Sequence, residues 1–169
     1  SIWIDYDNDR DMDLFIAKCR GGNSGANINQ LHENDGSGNF TEVSTAMNLA
    51  DPVQTWSSAW GDFDNDGDMD AFIGASSFTN GGHKFMRNDE STFTDVITGT
   101  GLENFEDTDI EYVTHDFDNN GYLDIYSGSG NFFFNNGDMT FTQQIVNFGA
   151  GPIGDLNNDG FLDILSGNI

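Results

Sequence analysis

Short apolar runs recur along this chain, and clusters of Asp, Asn and Gly separate them. Four of these runs directly follow an acidic window: LFIAK (14–18), AFIGAS (71–76), IYSGSG (125–130) and ILSGN (164–168). Apolar runs of this length, bounded by turn-forming residues, are typical of β-strands rather than helices. The pattern therefore predicts an all-β fold built from many short strands.

A second pattern follows the first three apolar runs. It consists of a strand-like segment, an Asn/Asp/Gly turn and another strand-like segment that opens with Phe-Thr: LHENDGSGNFTEV (31–43), FMRNDESTFTDV (85–96) and FFNNGDMTFTQQI (133–145). Two such segments joined by a turn of this composition predict a β-hairpin.

A further strand-like segment precedes each acidic window: SIWI (1–4), TWSSAWG (55–61), EYVTH (111–115) and, more weakly, GAGPIG (149–154). Together with the hairpins, these segments predict a repeated unit of four antiparallel strands A to D, which matches a β-propeller blade in size. The chain is then a single repeat domain, 1–169, with units at about 1–50, 51–105 and 106–147 and a partial unit at 148–169. The last unit stops after strand B, so about three and a half blades are expected. The acidic stretch 102–111 could form a loop or a short helix, and a loop is favoured.

The acidic windows share one spacing of oxygen-bearing side chains: DYDNDRDMD (5–13), DFDNDGDMD (62–70), DFDNNGYLD (116–124) and DLNNDGFLD (155–163). Side chains at positions 1, 3, 5 and 9, a backbone carbonyl at position 7 and a turn-permitting Gly at position 6 suit Ca²⁺, which takes about six to eight oxygens. Zn²⁺ prefers His or Cys, and Mg²⁺ keeps more of its water. An EF-hand loop would end in Glu at position 12 and lie between helices, whereas these windows have Ile or Ser there.

The windows therefore predict calcium loops between strands A and B, with up to four Ca²⁺ ions. The predicted metal ligands are Asp5, Asp7, Asp9, Asp11, Asp13, Asp62, Asp64, Asp66, Asp68, Asp70, Asp116, Asp118, Asn120, Tyr122, Asp124, Asp155, Asn157, Asp159, Phe161 and Asp163, of which the position-7 members contribute a carbonyl. The second loop combines four acids with Gly67 and is expected to bind most tightly. In the first loop Arg10 replaces glycine, and a positive φ there would cost about 1 kcal/mol.

Apolar residues occupy positions 2 and 8 of every window, and we expect them to pin the loops onto the core. They are Tyr6, Met12, Phe63, Met69, Phe117, Leu123, Leu156 and Leu162.

The charge of the chain excludes some partners. There are 29 acidic and 5 basic residues, for a net charge of −24. Nucleic acids and anionic membranes need a basic surface, so neither is an expected partner. No apolar run approaches the ~18–20 residues that a membrane-spanning helix needs, so no membrane insertion is expected. The single cysteine, Cys19, is predicted to be a small buried hydrophobic residue.

These motifs resemble the FG-GAP/VCBS repeat of integrin-type propellers and secreted bacterial proteins, including those of the ASPIC/UnbV type. The resemblance rests on the D-x-D-x-D-G-x-x-D loop between two strands and on the Phe-Thr hairpin, and the stretch QTWSSAWGDFDNDGDMDAFIG (54–74) carries it most clearly. It implies a calcium-stabilised β-propeller at an extracellular or cell-surface location, with the calcium structural. Such propellers usually have about seven blades, and an incomplete one would expose sheet faces and edges. A protein partner or self-association is therefore expected.

Two other functions remain open. A lectin-like, glycan-binding module could use the aromatic residues Trp3, Trp56, Trp60, Phe78 and Tyr126, although packing between blades explains such residues more simply. The chain could also be an accessory part of a larger secreted enzyme. We expect the chain itself not to be an enzyme, because it has no nucleophile elbow, HExxH motif or phosphate loop. The three histidines, His32, His83 and His115, are scattered and are expected to be structural.

Overall fold

The computed structural model describes residues 1–19, 27–78, 81–146, 148 and 151–166. Within these residues the chain forms short strands and a single three-residue 3-10 turn, Leu102–Asn104. The strands are β1 Ile2–Ile4, β2 Asp13–Ile16, β3 Gln30–Asn34, β4 Phe40–Glu42, β5 Thr55–Gly61, β6 Asp70–Ala75, β7 Lys84–Asn88, β8 Phe93–Asp95, β9 Tyr112–His115, β10 Asp124–Ser127, β11 Asn131–Asn135, β12 Phe141–Ile145, β13 Ile153–Gly154 and β14 Asp163–Ile164.

These strands form four separate antiparallel sheets. Three sheets have four strands in chain order, β1 to β4, β5 to β8 and β9 to β12, and the fourth has the two strands β13 and β14. The all-β fold of blade-like, four-stranded repeats that the sequence predicts is therefore confirmed. The 3-10 turn is the one regular element that the prediction missed, because a loop was favoured over a short helix for residues 102–111.

The hairpins of the first three sheets lie where the Phe-Thr pattern places them. Strand D begins at Phe40, Phe93 or Phe141 and pairs with strand C in the order expected for a tight turn. In each case the Asn that ends strand C faces that Phe directly, as Asn88 faces Phe93. The turn residues between them fix the register, which sets the side chains that face the neighbouring sheets.

The hydrophobic core lies between neighbouring sheets. One cluster joins the first and second sheets and includes Phe15, Leu31 and Trp60. A second cluster joins the second and third sheets and includes Phe72, Phe85 and Phe133. Because both faces of the second sheet are covered, every residue of β6 is buried. Face-to-face packing of sheets thus provides most of the apolar burial, which is the main favourable term in folding.

Each acidic loop connects the end of strand A to the start of strand B in its sheet. The ninth residue of the loop is the first residue of strand B, and it pairs with the last residue of strand A: Asp13 with Ile4, Asp70 with Gly61, Asp124 with His115 and Asp163 with Gly154. Each loop is therefore the connection of an antiparallel A–B pair. All four loops occupy the same end of their sheets.

Two further observations concern the surface of the chain. Cys19 is exposed, so the prediction that it is buried is wrong. It lies three residues beyond the end of β2, where the chain has left the sheet. No helix within the described residues is long and apolar enough to cross a membrane.

Candidate metal centre

Hydrogen bonds wrap the backbone of the four acidic loops in the same way. The carboxylate at position 1 accepts the N–H of position 6, with N···O distances of 3.2, 3.0, 2.8 and 3.0 Å for the loops that begin at Asp5, Asp62, Asp116 and Asp155. The side-chain oxygen at position 5 accepts the N–H of position 7 in all four loops, at 2.8–3.0 Å. These bonds fold the backbone of each loop around the side chains at positions 1 and 5.

The wrapped backbone needs left-handed conformations at two positions. Position 4 is an Asn with positive φ in each loop: Asn8 (62°), Asn65 (61°), Asn119 (60°) and Asn158 (63°). Asn tolerates this region better than most residues. Position 6 also has positive φ, between 89° and 100° at the three glycines and 77° at Arg10. The positive φ expected at position 6 is therefore confirmed, and Arg10 adopts it with a strained backbone.

Three of the loops bring three carboxylates within metal-binding reach. In each group one oxygen per residue lies within 4.8 Å of the others: Asp5, Asp7 and Asp13; Asp62, Asp64 and Asp66; Asp116, Asp118 and Asp124. Asp9 and Asp70 are not in these groups, and no group of three acids forms at the fourth loop within the described residues. The full ligand list, the carbonyl ligands at position 7 and the ranking of the loops stay predictions.

The ninth-position acid has a structural role that sequence reasoning missed. In the first three loops it is buried, and both of its oxygens accept backbone N–H groups. Asp70, for example, accepts from Phe63 at 3.1 Å and from Asn88 at 2.8 Å. The bonds to Asp13 and Asp124 are equivalent. This carboxylate therefore ties the start of the loop to the end of strand C, and the Asn that ends strand C in each hairpin was the available signal.

Burial makes these carboxylates difficult to ionise. It raises the pKa of Asp70 to about 7 and the pKa of Asp13 and Asp124 to about 6, although their bonds from backbone N–H groups act in the opposite direction. Burial, reinforced by neighbouring carboxylates, also raises the pKa of Asp64. A bound cation would reverse this cost, because it favours the charged form.

Within the described residues, no loop carboxylate forms an ion pair with a basic side chain. The two ion pairs found there, Lys84–Asp51 (3.1 Å) and Arg87–Asp89 (2.8 Å), lie outside the loops. In the first loop Asp5 Oδ1 and Asp11 Oδ1 are buried and accept no hydrogen bond. Burying a carboxylate oxygen without a partner costs folding free energy. A hard cation, which binds oxygen ligands, would supply the missing partner, so the oxygen atoms of these loops fit such an ion.

The apolar residues at positions 2 and 8 of the loops pack against different neighbouring sheets. At position 2, Tyr6 and Phe63 are buried against the following sheet, and at position 8, Met69 packs against the preceding one. Leu156 (67% exposed) and Met12 (56% exposed) are not pinned to the core, so the prediction is wrong for these two. Within the described residues, no sheet follows Leu156 or precedes Met12.

The aromatic and histidine candidates divide in a similar way. Trp60 is buried in the cluster between the first and second sheets, and Tyr126 is buried against Phe117 and Phe132, whereas Trp3 (57%), Trp56 (44%) and Phe78 (39%) are exposed. Of the histidines, His32 lies on β3, His115 ends β9, and His83 is buried just before β7. None of the three histidines belongs to the acidic groups described above.

Comparison with known proteins gives one positive result. Residues 5–73 match the family model of the FG-GAP-like repeat. No curated protein matches the chain. The matched segment runs from the first acidic loop through the first sheet and the second acidic loop into β6. The resemblance that the loop and hairpin motifs indicate is thereby confirmed over residues 5–73, which are similar to an FG-GAP-like repeat.

Proposed function

We propose that this chain is a calcium-stabilised structural module of an extracellular, adhesion-type repeat protein. FG-GAP-like repeats are typical of extracellular proteins. The observation that carries the proposal is the set of similarly wrapped acidic loops, three of which bring together carboxylates that form no ion pair within the described residues. The role is structural rather than catalytic, and that part stays a prediction.

Calcium suits these loops better than the other common divalent cations. Side chains at positions 1, 3, 5 and 9 offer carboxylate or amide oxygens, which Ca²⁺ and Mg²⁺ prefer, and Ca²⁺ tolerates the irregular geometry of a one-loop site. The ion would offset the repulsion among the carboxylates and join the end of strand A to the start of strand B. Metal binding and folding are then coupled, because the unfolded chain has no preformed site.

Exposed apolar residues on the fourth sheet support self-association. Leu156, Phe161 and Leu165 are 67%, 51% and 62% exposed on or beside β13 and β14. At the other end of the sheet series, Met12 is also exposed. Removing these surfaces from water would favour association, so a second copy or another protein is the proposed partner.

Thermal unfolding and light scattering in calcium and in chelator test the proposal. A ligand that binds only the folded state contributes about 2.7 kcal/mol per site at one hundred times its Kd, so we expect EDTA to lower the melting temperature strongly. Asp64→Asn should remove part of the calcium-dependent gain. Glu111→Gln is the matched control, since it removes one exposed charge outside the loops.

The same measurements distinguish the outcomes. Melting that is equal in calcium and EDTA would overturn the calcium proposal. A mass that stays at the 18.5 kDa of one chain at all concentrations would overturn self-association and leave the calcium proposal standing.

Glycan binding is a second candidate, which one exposed tryptophan favours. Trp56 lies at a bulge in β5 and borders a cavity of about 300 Å³. The cavity is also lined by Ser57, Ser58 and Ile110, and none of the described residues that line it is acidic. An aromatic face beside hydroxyl groups suits a neutral sugar. A glycan array should then lose its signal with Trp56→Ala and keep it with Trp3→Ala, whose ring instead packs edge-on against Phe40.

A further inference from the structure

Asparagine side chains connect each acidic loop to the next one. The position-4 Asn of the first three loops donates from Nδ2 to the carbonyl of position 6 in the following loop. The bonds are Asn8 to Gly67 (3.0 Å), Asn65 to Gly121 (3.1 Å) and Asn119 to Gly160 (2.9 Å). One bond type therefore recurs at all three contacts between adjacent loops.

A second, buried asparagine bridge lies beneath the first. Asn88 Nδ2 donates to the Tyr6 carbonyl at 2.8 Å, and Asn135 Nδ2 donates to the Phe63 carbonyl at 2.7 Å. The backbone N–H groups of the same two asparagines donate to Asp70 and Asp124. Each bridge thus joins the ninth-position acid of one loop to position 2 of the loop before it.

The outer bridge acts on a peptide group that orients a predicted ligand. The carbonyl of Gly121 and the N–H of Tyr122 belong to the same planar peptide. Asn65 holds the carbonyl at 3.1 Å, while the N–H donates to the position-5 oxygen, Asn120 Oδ1, at 2.8 Å. Asn65 itself lies between Asp64 and Asp66, two predicted ligands of the preceding loop. A short covalent and hydrogen-bonded path therefore runs from one ligand set to the next.

We propose that the position-4 asparagines of the first three loops are positioning residues that couple adjacent calcium loops, so that an ion in one loop favours binding in the next. The inference rests on the proposed calcium function. An ion that orders positions 3 and 5 of one loop also fixes the Asn between them, and this Asn fixes the position-6 peptide of the neighbour. The coupling is reciprocal, since linkage requires each loop to affect the other equally.

A purely structural role predicts something different. If the bridges only hold the sheets together, removing one would weaken all loops alike or none. Coupling predicts that the two joined loops weaken and that a more distant loop changes less. The readout must therefore follow each loop separately.

A calcium titration followed by ¹H–¹⁵N NMR provides this readout. The amides of Gly67, Gly121 and Gly160 each donate to the position-1 carboxylate of a different loop and so report on it individually. The test variant is Asn65→Gly, which removes the amide while keeping the positive φ of 61° accessible. We expect the midpoints at Gly67 and Gly121 to rise about fivefold, the lower end of usual coupling factors, and the midpoint at Gly160 to change less.

Asn158→Gly is the matched control. Asn158 has the same loop position and a φ of 63°, and its side chain makes no hydrogen bond within the described residues. It should leave the midpoints at Gly67 and Gly121 unchanged. Asn119→Gly should instead raise the calcium midpoints at Gly121 and Gly160, which report on the third and fourth loops.

Each result has one meaning. If no glycine amide of the unmodified chain responds to calcium, the proposed function itself fails. If the unmodified chain binds calcium and Asn65→Gly matches Asn158→Gly, or shifts all three glycines equally, the coupling is overturned. If the calcium-free chain is too unfolded to titrate, calcium release from the loaded protein into chelator gives the same comparison, with faster loss at Gly67 and Gly121 in Asn65→Gly expected.

Discussion

At position 6 of the acidic loops, a single residue decides whether the backbone is strained. Gly67, Gly121 and Gly160 adopt positive φ without a side chain to oppose it, whereas Arg10 adopts a φ of 77° with a long side chain. A non-glycine residue in this region costs about 1–2 kcal/mol. The first loop therefore pays a backbone penalty that the others avoid, and Arg10 also adds a positive charge beside a cation site.

Arg10→Gly should raise the free energy of unfolding by about 1 kcal/mol through the lost strain. Urea unfolding in excess calcium measures this change. Arg10→Ala serves as the control, because it removes the charge and retains the strained φ. If Arg10→Ala stabilises the chain as much as Arg10→Gly, charge rather than backbone strain is responsible.

Among the connecting elements, the segment after the 3-10 turn is held by a buried histidine. His83 Nδ1 accepts the N–H of Ala75 at 2.9 Å, and His83 Nε2 lies 2.9 Å from the carbonyl of Asp107. Since a carbonyl can only accept, Nε2 carries the proton and the ring is neutral. Phe105 stacks on the ring at 4.9 Å. The segment 105–107 is thereby fastened to the end of β6.

Protonation of His83 should release this fastening. Burial lowers the pKa of His83 from 6.5 to about 4, although Asp107 opposes the shift. The stability contributed by the neutral ring is therefore complete above about pH 6.5 and is lost as the pH falls toward 4. Between pH 7 and pH 5 the loss should be about 1–2 kcal/mol.

His83→Gln, which does not titrate, provides the comparison. In excess calcium, unfolding of the unmodified chain should weaken more between pH 7 and pH 5 than unfolding of the variant. Glu103 and Glu106 line the cavity beside His83 and are present in both proteins, so they do not account for a difference between them. Equal pH dependence in the two proteins would show that His83 is not the sensitive group.

Across the whole molecule, the sheets approach closely where a strand carries glycine. A Cβ added at Gly74 of β6 would lie 2.1 Å from the ring of Tyr112 on β9. Tyr112 is buried and its hydroxyl accepts the N–H of Asp109 at 3.2 Å, so the ring is held in place. This glycine lets the second and third sheets pack face to face.

Gly74→Ala should therefore destabilise the chain by about 1–3 kcal/mol, the usual cost of overpacking a core. Gly154→Ala is the matched control, since Gly154 also lies in a strand and an added Cβ would have no atom within 4 Å. Thermal unfolding of both variants in excess calcium measures the difference. Equal effects would mean that the contact between the two sheets adapts to a methyl group.

Features that depend on residues close together in the sequence could be predicted from the sequence. The acidic spacing, the Phe-Thr hairpins and the short apolar runs are local patterns, because turn geometry and strand alternation are set within a few residues. They located the strands, the loops and the positive φ at Arg10. The conformation of the loops follows from the same local hydrogen bonds.

Features that join distant parts of the chain required the tertiary structure. Asn8 and Gly67 are 59 residues apart and Asn88 and Tyr6 are 82 apart, so nothing in either local sequence indicates their hydrogen bonds. The exposure of Met12 and the partial burial of Met69, which share one loop position, depend on which sheets lie beside them. Local chemistry thus specified the repeated unit, whereas packing between units decided its contacts, because a side chain's burial is a property of its neighbours in space.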